Sequence, residues 1–188
     1  VTRVVMLQVG TLERQYVIDT RVVDISKLRE VIESNEIVKV GHNLQFEYKH
    51  LLHNFGFKLA NVWDTFICEK VLYNGFKISY SLESLAKRYL GIESVSTIDL
   101  FTDEEEDSEI AKAYIDKSTR LGFINISDAP FSIRQVQYGV DDVIYPLKIK
   151  LIQEQGREVN GKLWNPTLAF RLENKTALVL SDMSYRGI

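Results

Sequence analysis

Cysteine is nearly absent from this 188-residue chain, which carries one, Cys68. A lone thiol closes no internal disulfide. Cys68 lies in an apolar helical stretch and reads as a small buried side chain of an intracellular protein. Histidine is also scarce, and His42, His50 and His53 stand at no convincing zinc spacing with a fourth ligand. No hydrophobic run approaches the roughly 18 residues of a membrane span, and no signal peptide is recognisable. The formal net charge of −3 gives no global pull towards nucleic acid. That argues against a coating protein while leaving room for a local basic groove. What remains is ordinary globular composition, 45% hydrophobic and 26% charged. The length suits one domain with a sizeable core, or one domain plus a fragment of the next.

Along the chain, Val4 to Val9 and Tyr16 to Ile18 are β-branched or aromatic runs separated by Gly10-Thr-Leu-Glu-Arg14, a hairpin pattern. Ser26 is placed to cap a short helix with Leu28, Val31 and Ile32 inward. Ile37 to Val40 is too short for a helix and ends at Gly41, so it reads as a buried strand. Asn43 can cap the next helix, whose inward stripe is Leu44, Tyr48, Leu51, Leu52 and Phe55, with Gly56 as its stop. Glu47 falls in the first turn, where an acid also complements the helix dipole. Asp64 reads as the N-cap of a helix over Thr65 to Tyr73, and Ser81 as the cap of one ending at Gly91. Residues 103 to 109 hold six acids in seven, a solvated face that nucleic acid avoids. Lys117 and Arg120 follow, cations able to meet phosphates.

From Ser132 to Leu151, apolar residues recur at Ile133, Val136, Val140, Val143, Ile144, Leu147 and Leu151, the spacing of an amphipathic helix. Ser132 and Gln135 form a capping box at its start. Tyr138 and Asp142 are four apart, so a phenol and a carboxylate share one face. Pro146 lacks the amide hydrogen that the Asp142 carbonyl would accept, which kinks the axis there. Tyr-x-x-x-Asp by itself equally describes a core helix with a solvated edge.

Four stretches in order carry a more specific signal: Lys39-Val-Gly-His-Asn43-Leu-Gln-Phe-Glu47-Tyr-Lys, Trp63-Asp64-Thr65, Tyr80-Ser-Leu-Glu-Ser-Leu-Ala-Lys-Arg-Tyr-Leu-Gly91, and Tyr138 to Asp142. Together they resemble the DEDD 3′–5′ exonucleases, most closely the proofreading domain of family A DNA polymerases, from about Arg3 to Leu151. The resemblance implies an α/β fold, a ribonuclease-H-like mixed sheet flanked by helices. It implies phosphodiester hydrolysis at a DNA 3′ end, single-stranded or frayed, with two Mg²⁺ or Mn²⁺ ions. Asp142 and Glu47 become metal ligands, Tyr138 orients the attacking water, and Asn43 lies near the terminal nucleotide. Family members generally carry Asp where this chain has Glu47, and one extra methylene moves a carboxylate by more than about an ångström.

The family's first motif, an Asp-x-Glu pair on the central strand, precedes a stretch resembling Val1 to Gln8. No Asp-x-Glu occurs among residues 1 to 40. The expectation is therefore an exonuclease-like domain over 1–153 lacking its central first strand and inactive as it stands. A linker over 154–165 follows, then 166–188, which resembles the first helix of the polymerase domain. Three functions fit: the body of a proofreading exonuclease, a non-catalytic module that holds primer DNA or braces a polymerase, and an RNA-trimming enzyme. The final helix, ending Tyr185-Arg-Gly187, argues against the third.

Overall fold

The computed structural model describes residues 3–92 and 130–188. The acidic run, Lys117 and Arg120 lie outside the described residues.

The first runs form the expected hairpin. Strand β1 (Met6–Gly10) pairs antiparallel with β2 (Gln15–Asp19), Met6 opposite Asp19. A 3₁₀ turn over Ser26–Leu28 leads into α1 (Arg29–Ile32). Asp24, rather than Ser26, opens it, its carboxylate accepting the Ser26 amide at 2.9 Å and hydroxyl at 2.8 Å. Val31 turns outward, so Ile32 is the residue of α1 that the core takes up.

Strand β3 (Lys39–Gly41) pairs parallel with β4 (Val62–Asp64), Gly41 opposite Asp64. Ile37 and Val38, expected in a buried strand, are 46% and 44% exposed. The strand starts later than the apolar run, and among the described residues only β4 pairs with it. The edge of β1 away from β2 is likewise unpaired among the described residues.

Helix α2 (Gln45–Phe55) ends at Gly56, which takes the left-handed conformation (φ 64°) anticipated for its stop. Tyr48 and Leu51 from α2 join Leu44, Ile25, Ile32, Phe57 and Leu59 in one core cluster. Helix α3 (Thr65–Leu72) starts at Asp64, and α4 (Leu82–Leu90) runs from the Ser81 cap to Gly91, both as read from the sequence. In α4, Leu85 and Ala86 are buried.

Helix α5 (Ile133–Gln153) opens on the full capping box, with Gln135 N–H donating to Ser132 Oγ at 3.2 Å and Ser132 N–H to Gln135 Oε1 at 2.8 Å. Its buried line is not the predicted one. Gly139, Pro146, Ile149 and Gln153 face inward, whereas Ile133, Val136 and Leu151 are exposed. The reason is close approach at Gly139. A Cβ there would lie 2.9 Å from Gln8 Cγ and 3.1 Å from Val17 Cγ2, so the smallest residue sets the crossing over the hairpin. The same helix packs on β1, β2 and β3, and thus spans both small sheets.

The stretch read as a linker is itself structured. Strands β5 (Arg157–Val159) and β6 (Lys162–Trp164) form a hairpin whose turn residues Asn160 and Gly161 both have positive φ. Asn-Gly is the sequence signal for such a turn. Helix α6 (Thr167–Arg186) then packs on β4, α2 and α3. Phe170 is fully buried edge-on against Trp63, 5.2 Å between ring centres, and Tyr48 donates its hydroxyl to Asp182 at 3.1 Å. No described helix is long and apolar enough to cross a membrane.

Candidate active site

Asp64 organises the sequence-predicted residues from below. It is 2% exposed, and its two oxygens accept three backbone amides. Oδ1 takes Asn43 N–H at 2.8 Å and Phe66 N–H at 3.0 Å, and Oδ2 takes Leu44 N–H at 2.8 Å. One carboxylate therefore caps α3, as expected, and also ties down the chain entering α2. Asn43 was expected to cap α2 itself. It instead adopts a left-handed backbone (φ 60°), which asparagine tolerates, and α2 starts at Leu44 with no side-chain cap, while Asp64 holds the two amides just before the helix. Gly41 makes the tight entry possible, since a Cβ there would meet Leu44 Cδ2 at 2.4 Å. From the far side, Asn174 of α6 accepts the Asp64 amide at 2.7 Å.

Glu47, in the first turn of α2, is exposed along its side chain, yet its pKa rises to about 7. Crowding by protein is the main cause, followed by repulsion from the charges of Asp64 and Asp142. Asp142, whose charge reaches Glu47, lies on α5 one turn after Tyr138, and both are half-buried. The neighbouring Asp141 accepts from Gln137 Nε2 at 2.9 Å and is raised by burial.

Two features of this region escaped the sequence reading. Phe46, beside Glu47, is 61% exposed and lies 4.1 Å from the His50 ring, an aromatic surface in the first turn of α2. His42, on the β3–α2 connection, is pinned. Thr65 donates its hydroxyl to Gly41 O at 3.0 Å, so His42 Nδ1–H must be the donor to Thr65 Oγ1 at 2.9 Å. Burial drops its pKa to about 4, and the imidazole is neutral. Exposed aromatics inside a motif were the available signal for Phe46. Nothing in the sequence pairs His42 with Thr65.

Below the site, buried Glu69 is fully satisfied. It pairs with Arg88 and accepts Tyr89 Oη at 2.8 Å and Gln153 Nε2 at 2.9 Å, locking α3, α4 and α5 together. Cys68 is buried, as expected, and its thiol is pushed up to about 12 by burial.

A cavity of about 740 Å³ opens between α3 and α6. Of the predicted site residues that are described, only Asn43 lines it. Glu47, Tyr138 and Asp142 do not.

A family model described as 3′–5′ exonuclease matches residues 2–154. The chain belongs to the 3′–5′ exonuclease family. Among solved structures, Brucella melitensis NrnC is similar at 19% identity and a TM-score of 0.69, over 98% of this chain and 78% of that one. NrnC bound to pGG matches with a TM-score of 0.68 at 18% identity, and NrnC with bound Mg²⁺ with 0.68 at 19%, each over the same shares of the two chains. A search of the curated proteins finds no match. The fold is the ribonuclease-H-like α/β arrangement expected from the motifs, and exonuclease membership with a Mg²⁺-bound structural neighbour supports divalent-metal use.

The donor set answers only in part. Carboxylate oxygens are the hard ligands that Mg²⁺ takes. Yet among the described residues no three His, Cys, Asp or Glu side chains converge to hold a metal. Asp64, the third acid near Glu47, is committed to backbone amides.

Proposed function

We propose that this chain is the body of a 3′–5′ exonuclease that removes nucleotides from the 3′ end of a single strand. The observation that carries the reading is the 3′–5′ exonuclease family match over residues 2–154, within which Glu47 on α2 feels the charge of Asp142 on α5. In a nuclease, paired divalent cations supply the activated water and the counter-charge for the attacking and leaving oxygens. Glu47 and Asp142 would contribute two carboxylates towards holding them. Tyr138, one turn before Asp142, directs the water by its hydroxyl. Asn43 holds the terminal nucleotide, and the exposed Phe46 ring offers its base a stacking face. The remaining carboxylates come from an Asp-x-Glu strand laid between β1 and β3, the two edges left unpaired among the described residues.

DNA proofreading within a polymerase is one setting for this chemistry. RNA trimming is favoured by a specific observation. The match to NrnC spans 98% of the chain, the segment carrying α6 included, and one NrnC structure is bound to pGG.

The test is to extend the chain at its N-terminus by a strand bearing Asp-x-Glu and to follow 5′-labelled single strands of DNA and of RNA with Mg²⁺. The expected result is a ladder shortening from the 3′ end, lost in Asp142→Ala, with the faster sugar identifying the substrate. No Mg²⁺-dependent shortening of either strand contradicts the exonuclease reading and leaves a non-catalytic module that holds nucleic acid.

A further inference from the structure

The cavity between α3 and α6 is absorbed by none of the roles above, and its α6 wall lies beyond residue 154, where the family match ends. We propose that it is a second nucleotide-binding subsite, which seats the body of the single strand whose end lies at Glu47 and Asp142. This rests on the nuclease reading and extends it.

The chemistry of the lining is that of a single-strand track. Phe66 and Lys70 stand one turn apart on the α3 wall, about 6 Å along the helix at 1.5 Å per residue, and Asn74 lines the cavity from the turn beyond the helix. Lys70 Nζ lies 4.2 Å from the Phe66 ring centre, so a cation and a π-face stand together, as phosphate and base require. Trp164, 41% exposed, and Asn43 of the exonuclease motif both line the cavity, so it shares a residue with the candidate active site. On the α6 wall Glu173 repels phosphate and accepts from base amino groups. The backbone of the strand therefore follows α3. A volume of about 740 Å³ falls in the range of sites for nucleotide-sized ligands.

The experiment uses the two tryptophans of the chain. Trp63 is buried, its indole N–H on Gln153 at 3.1 Å, so a bound base reaches only Trp164. Hexanucleotides of DNA and of RNA are titrated without divalent metal, with tryptophan emission reporting the groove and anisotropy of a labelled hexamer reporting total binding. Emission is expected to be quenched, and Trp164→Phe, a change on an exposed hairpin, should abolish the quench. Lys70→Glu should weaken hexamer binding about tenfold and leave dinucleotide binding unchanged. A hexamer that binds by anisotropy with no quench, or with no response to Lys70→Glu, overturns the groove and leaves the nuclease reading standing. No binding of either strand overturns both.

Discussion

Asp64 shows how one residue can fix a site it does not enter. Its carboxylate gathers the amides of Asn43, Leu44 and Phe66, so the position of Glu47 follows from it. Asp64→Ala leaves buried amides without acceptors and should lower stability by about 2–4 kcal/mol, with Asp64→Asn intermediate. Urea unfolding of the three proteins measures this. Glu47 carries a pH signature. Its pKa in the fold, about 7, lies above the ordinary value of 4.5, so its stabilising contribution is full below about pH 4.5 and is lost as pH rises through 7. Glu47→Gln should therefore melt higher than the parent at pH 8 and level with it at pH 4. Equal melting temperatures at both pH values would rule out a raised Glu47 carboxyl. At this scale the sequence reading succeeded where the partner is local, as for Asp64 capping α3. It failed at Asn43, because the acceptor that holds the chain entering α2 comes from the end of β4, and spacing along the chain carries no sign of such a pairing.

Helices and hairpins show the same division. The Ser132–Gln135 capping box, the Ser81 cap and the stop at Gly56 were all legible, since each rests on contacts within one turn. The inward line of α5 was not, because periodicity weighs large apolar residues and the crossing is set by the absence of a side chain at Gly139. Gly139→Ala gains helix propensity of about 1 kcal/mol against a contact that the flexible Gln8 side chain relieves, and should be near neutral. Gly139→Leu must drive α5 off β1 and β2, and should cost about 1–3 kcal/mol, read from thermal or urea unfolding. The β5–β6 hairpin was passed over although Asn160-Gly161 announces its turn. Its strands are three residues each, too short to alternate visibly, and they read as polar linker.

For the whole molecule, the motif order carried the fold class and the family, because an ordered set of short motifs is far more specific than any one of them. The open flanks of β1 and β3 belong to this scale as well. Helix α5 packs on β1, β2 and β3, and the strand proposed between β1 and β3 would carry backbone pairing and two carboxylates at once. Apolar area buried by that strand contributes roughly 25 cal/mol per Å², and metal binding adds stability by mass action only where the ligands converge. Without the strand, the 188-residue chain should show little or no Mg²⁺-dependent shortening of a labelled single strand. The most direct test of the account is the thermal melt of this chain with a strand peptide carrying Asp-x-Glu or Asn-x-Gln, each with and without Mg²⁺. Both peptides should raise the melting temperature, and Mg²⁺ should raise it further only with Asp-x-Glu. A chain that melts equally high without either peptide, or that Mg²⁺ stabilises as much alone as with Asp-x-Glu, would contradict the account.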